Sequence, residues 1–240
     1  LSNSFPKPDA GAPRGIKAVK SALVYAIVGS SVAARAYAHR AMREGQSGID
    51  LGDLLLVAII AGVWLVKRQD PADFLKIAGR PGNGRLALVT GLVVVALGVI
   101  NMCIHARLKQ AHGGWMRDAG VNPGGAYLAL GGMPKRMALL LGLGFIASGA
   151  LLEEILFRGF LLQWARGASG PANGVIAQGV LFGLIHGVPM ACARAPDVIT
   201  AYALLMPIAS GIALGWLAVT SGGLAYPWLA HWALNYLAFA

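Results

Sequence analysis

Six residues in the second half of this 240-residue chain have the types and spacing to move protons. Glu153, Glu154 and Arg158 stand in ASGALLEEILFRGFLLQWA (147–165), His186 ends FGLIH, and His231 and Asn235 bound HWALN. Only three glutamates occur in the whole chain, and two of them sit in that apolar run. A charged side chain at the centre of a membrane helix costs about 2.5–3.5 kcal/mol on insertion scales, so such residues face a partner or a wet cavity. Glu154 and Arg158 are four residues apart, the spacing at which a carboxylate and a guanidinium meet on one helix face. Glu153 is turned by about 100° from Glu154, and the residue four positions after it is Phe157. Glu153 is therefore the carboxylate assigned to chemistry, and Glu154 with Arg158 the supporting brace. His231 and Asn235 share a face at the same spacing, as do Phe182 and His186.

Brought together, a carboxylate and two imidazoles around one water make a hydrolase. Glu153 would act as general base, and burial favours that role by raising its affinity for a proton. His186 would help to bind the water, while His231 and the Asn235 amide would donate to a developing oxyanion. No serine or cysteine stands beside these residues as a nucleophile.

The elements that must position them are membrane helices. The chain is 57% hydrophobic and 12% charged, with a mean hydropathy of +0.64, against about a quarter charged in a soluble domain. Apolar runs near 19–37, 51–66, 86–106, 137–165, 172–188, 198–219 and the C-terminal stretch predict an all-α, polytopic transmembrane bundle of about seven helices, within a range of six to eight. Three regions follow: an N-terminal arm at 1–17, membrane helices and loops at 18–136, and a catalytic core at 137–240. No cleavable signal sequence is expected, and the first apolar run is read as the insertion signal. The interruption at 107–136 has room for an interfacial helix beside Trp115 and Tyr127.

The net charge of +10 comes mostly from loop residues, which suits anionic lipid headgroups rather than nucleic acid. Basic residues divide almost evenly between alternate loops, so they set no orientation. Cys103 and Cys192 lie in or at the end of apolar runs and read as packing residues. His39, His105 and His112 fall at a helix end or in polar loops and receive no role. The abundance of glycine reads as close helix packing and turns.

EEILFR, FGLIH and HWALN, in that order and each inside an apolar run, resemble the EExxxR, FxxxH and HxxxN motifs of the CPBP, or Abi, intramembrane endopeptidases. That family includes the type II CAAX prenyl endopeptidases and bacteriocin-processing or self-immunity proteins. The likeness runs from about Leu139 to Ala240, and FRGFLLQ and GIALGWLAVTSGGLAYPWLAHWALN share it. It implies an α-helical peptidase of the membrane, expected in a bacterial inner membrane, whose partners are lipids and a membrane-associated peptide or protein. Glu153 matches the catalytic glutamate, His186 the water-holding histidine, His231 and Asn235 the oxyanion pair, and Glu154 with Arg158 the support. The family has been described as metal-dependent and as glutamate-type. Glu153, His186 and His231 are the set that would ligate zinc, but HExxH is absent, and the reading adopted is general-base catalysis with no cofactor. The competing class is a non-catalytic scaffold, immunity factor or assembly subunit on the same fold. A transporter would need polar residues along a path through the first half, and Asp53 and Asn101 are nearly all it has.

Overall fold

The computed structural model describes residues 84–118 and 149–239. The arm, the runs at 19–37 and 51–66, the start of the run at 137–165, and Tyr127 lie outside the described residues. Among the described residues the chain is helical, with no strand. Helix α1 is Gly84–Asp118. The glutamate-bearing helix is α-helical from 149, widens into a π-helical turn at Ile155–Leu161, and continues as α2, Leu162–Ser169. Helices α3 (Pro171–Cys192), α4 (Asp197–Ser221) and α5 (Ala225–Phe239) complete the bundle. Three of these, α1 up to Met116, α3 and α4, are long and apolar enough to cross a membrane. The chain is an integral membrane protein.

Helix α1 is rich in valine, a modest helix former in water. Inside a bilayer an unpaired peptide group costs several kcal/mol, so helix is the conformation that the backbone must take. Its Thr90 is satisfied locally, Oγ1 donating to the Leu86 carbonyl at 2.7 Å. The helix also outruns the expectation that it ends near 106. It continues to Asp118 across a kink at His112, where φ is −129°. The extra turns are held because Leu108 and Met116 bury against Ile199 of α4, with Trp115 packed alongside.

Caps set the other boundaries. Gly170, at φ 88°, leads into Pro171 at the first position of α3, where a missing N–H costs nothing. The expected break at VPMACARAPD is shorter than its composition implies, because α3 runs through Pro189 to Cys192. It then closes with the Ala195 N–H on the Met190 carbonyl at 3.0 Å and the Arg194 N–H on that of Ala191 at 2.9 Å. That pair of bonds is a Schellman motif, and Arg194 occupies its left-handed position at φ 54°. Cys103 and Cys192, read as packing residues, are both exposed. A bilayer is as apolar as the protein interior, so an apolar run does not reveal which side faces inward.

Helices α3 and α4 approach along glycines. A Cβ on Gly179 would lie 2.5 Å from Ile212 Cγ1, one on Gly183 would lie 2.6 Å from the Leu204 carbonyl, and one on Gly187 would lie 2.7 Å from Leu204 Cβ. From the other side, a Cβ on Gly211 would lie 3.0 Å from Gly179 Cα. This small-residue seam replaces the hydrophobic drive that lipid cannot supply, and it puts backbone carbonyls within reach of side chains on the neighbouring helix. Helix α1 packs across α4 and α5 through Val94, Leu214 and Leu217, flanked by Ala230 and Leu234.

Candidate active site

Glu154 is the centre of the polar cluster. Its Oε1 accepts from Arg158 Nη1 at 2.8 Å and lies 2.8 Å from His231 Nδ1 on α5. A carboxylate oxygen only accepts, so Nδ1 carries the proton and donates. Glu154 and Arg158 are wholly enclosed, at 0% side-chain exposure, whereas Glu153 keeps 11% and His231 keeps 8%. That difference separates the two adjacent glutamates: both are buried, Glu154 completely, while Glu153 retains a little exposure. Glu153 Oε2 lies 3.6 Å from His231 Nε2, within ion-pair range but longer than a hydrogen bond.

The chain reaches this geometry through a local irregularity. The Leu162 N–H bonds the Phe157 carbonyl, five residues back, the signature of a π turn and a feature concentrated at functional sites. The turn begins directly after Glu154 and includes Arg158. Phe157, Arg158 and Gly159 are all buried within it. The four-residue Glu154–Arg158 spacing keeps its ion pair across the wider turn.

His186 joins through Phe182. Its Nδ1 lies 2.7 Å from the Phe182 carbonyl, so Nδ1 donates and, in the neutral ring, Nε2 presents a lone pair. The Phe182 ring stands 4.7 Å from the His186 ring and 5.7 Å from the His231 ring by centroid, and edge-on to Phe157 at 4.9 Å. The guanidinium carbon of Arg158 lies 4.5 Å from the centre of the same ring, a cation–π contact in a desolvated setting. One aromatic ring thus spaces both histidines and the arginine.

Of the six residues singled out from sequence, Glu153, Glu154, Arg158 and His231 form a direct polar network, and His186 adjoins it across Phe182. Asn235 lies one turn beyond His231, partly exposed, and no contact that holds the network reaches it. Two assignments change. Glu154 does more than brace Arg158, since it also orients His231. His231 has only Nε2 left for chemistry, because Nδ1 is committed. Sequence reasoning missed Gln178, fully buried, whose Nε2 donates to the Gly211 carbonyl at 2.7 Å. Its signal was present: Gln178, Phe182 and His186 recur every four residues along one face of α3.

Glu153, His186 and His231, the set that would ligate zinc were a metal bound, are not drawn together as ligands. Among the described residues no three His, Cys, Asp or Glu side chains gather as metal ligands would; the Nδ1 bonds of His231 and His186 leave Nε2 as the atom of each ring that would ligate one.

Residues 135–237 match the family model described as Type II CAAX prenyl endopeptidase Rce1-like. That match supports a relation to the CPBP, or Abi, intramembrane proteases. Every member of the polar network falls inside the matched segment. Comparison with curated proteins and with solved structures returned no match.

Proposed function

We propose that the protein is an intramembrane endopeptidase in which Glu153 activates the attacking water. The family relation supports a membrane peptidase in general. The observation that carries the finer reading is the double capture of Glu154 by Arg158 and His231, each at 2.8 Å, which leaves Glu153 as the glutamate that retains a little exposure. The Arg158 guanidinium offsets the Glu154 carboxylate, an opposite-charge pair that a low dielectric tolerates better than a lone ion.

In this reading the water gives one hydrogen to Glu153 and directs the other to the His186 Nε2 lone pair. Its oxygen attacks the carbonyl carbon of a peptide bond. The carbonyl oxygen becomes an oxyanion beside the Asn235 amide and the His231 ring, whose Nε2 donates when the imidazole carries its second proton, donors of a kind worth about 3–4 kcal/mol each in other hydrolases. When the tetrahedral intermediate collapses, the C–N bond breaks and Glu153 returns its proton to the leaving nitrogen, releasing an amine and a carboxylic acid, which then ionises to water. The substrate class is a peptide or protein tail held at or in the membrane.

The test uses the full chain purified into lipid vesicles with a pool of membrane-associated peptides, products being read by mass spectrometry. Wild type is expected to generate new termini, and Glu153→Gln, nearly isosteric, to generate none while melting at the wild-type temperature. Undiminished cleavage by Glu153→Gln would remove Glu153 as the base.

A further inference from the structure

Gln178 has no part in the reaction just described, yet its polar head is fully buried. Its Nε2 donates to two carbonyls, Gly211 at 2.7 Å and Val175 at 3.1 Å. Both partners are acceptors, which fixes the orientation of the amide. The Gly211 carbonyl also accepts from Arg158 Nη2 at 3.4 Å. This meeting point exists because Gly211 and Gly215 have no side chains: a Cβ on Gly211 would lie 3.2 Å from Phe182 Cδ1, and one on Gly215 would run into the Gln178 amide. The glycine seam between α3 and α4 therefore ends in a shared carbonyl under the arginine that holds Glu154.

We infer that Gln178, acting through the Gly211 carbonyl and Arg158, is a positioning residue that keeps Glu154 on His231 Nδ1. The links follow in order. Gln178 fixes the carbonyl, the carbonyl anchors one arm of the guanidinium, and the other arm holds Glu154 Oε1. That same oxygen accepts the hydrogen bond from His231 Nδ1–H, and the opposite nitrogen of the ring faces Glu153. A second observation supports the link: Gln178 Oε1, Arg158 Nε and Glu154 Oε2 are buried without hydrogen-bond partners among the described residues. A polar network that leaves one atom unmatched on each of three members is sensitive to any loosening, because each group has already given up water.

The inference rests on the hydrolytic reading for its kinetic arm and has an arm that does not. In the full chain, Gln178→Met keeps the length of the side chain and removes the donor. It is expected to lower kcat by about tenfold, the scale of one hydrogen bond in a charged network, with KM unchanged within about twofold because the residue does not touch substrate. Gln178→Glu sets a carboxylate where Arg158 can reach it and is expected to lower kcat by about a hundredfold through competition with Glu154. Independently of activity, histidine-selective ¹⁵N NMR of the full chain in micelles should show the His231 Nδ1 resonance moved in both variants and the His105 resonance unmoved. The His231 signal is assigned by its loss in His231→Gln.

Wild-type kcat together with a wild-type His231 resonance in Gln178→Met overturns the inference, as does a lower melting temperature with both readouts intact. Should Gln178→Met fail to fold, an unmoved His231 resonance in Gln178→Glu overturns it equally. Wild type that cleaves nothing, with the His231 resonance still displaced by Gln178→Met, sinks the hydrolytic reading and leaves the positioning role standing. Cleavage abolished by Glu153→Gln but indifferent to Gln178 sinks the positioning role alone.

Discussion

Between α1 and α4 the Tyr202 hydroxyl donates to Asn101 Oδ1 at 2.7 Å, with the His105 ring 6.2 Å from that of Tyr202. Between the glutamate-bearing helix and α5, Glu154 gathers Arg158 and His231 at 2.8 Å each. Both clusters place polar groups inside apolar helices. The first is a neutral hydrogen bond joining two helices, which polar residues in membranes commonly supply. The second concentrates two carboxylates, a guanidinium and an imidazole, and it encloses one carboxylate completely while leaving the other slightly exposed. The first needs only a partner across the helix interface. The second has a graded exposure, Glu154 at 0% and Glu153 at 11%, and the proposed reactive role of Glu153 is built on that gradient.

The comparison breaks most sharply at His231. His231→Gln removes the nitrogen facing Glu153 and should lower cleavage by about 10²–10⁴-fold, measured as kcat/KM on a peptide that wild type cleaves. Retained activity would reduce the second cluster to the status of the first. Arg158→Ala comes next, because it strands Glu154 in a low dielectric. A loss of about 3–5 kcal/mol of stability is expected, read as folded yield and melting temperature, and a normal melt would show that Glu154 does not depend on the arginine.

Gly183→Ala probes the seam that carries both the site and its support. A Cβ there meets the Leu204 carbonyl at 2.6 Å as well as the Ile208 side chain, so α3 and α4 must separate at a cost of about 1–3 kcal/mol. Unchanged thermal stability would mean that the helices do not pack this tightly. The smallest effect belongs to the first cluster. Tyr202→Phe should cost about 0.6 kcal/mol, the average for such bonds between membrane helices, and leave cleavage within about twofold. A large loss of cleavage would instead make Asn101 and Tyr202 part of the working site.

Much of the second cluster was legible in the sequence because membrane burial makes charge conspicuous. Two of three glutamates in one apolar run, an arginine four residues on, and histidines in two later runs identify themselves by cost. The all-α bundle was legible for the same reason. What sequence spacing could not carry was tertiary. His231 and Glu154 are 77 residues apart, and nothing local says that the imidazole meets the fully enclosed glutamate through one nitrogen and faces its neighbour Glu153 with the other. The π turn was equally hidden, since the residues of ILFRGFL suit an α-helix as well. Helix α1 was read as too short because charge after residue 106 resembles a loop, whereas burial of Leu108 and Met116 against α4 continues the helix. The full extent of α3 was obscured by Pro189, which its final turn accommodates.

The most direct test of the central claim is a comparison of peptide termini in membranes from cells expressing wild type or Glu153→Gln at matched levels, read by mass spectrometry. New termini that appear only with wild type are the predicted result, and they would identify the substrate and the scissile bond together. Identical termini in the two membranes, with the variant still supporting the cell as wild type does, would contradict the account and make the cluster the core of a binding or assembly protein.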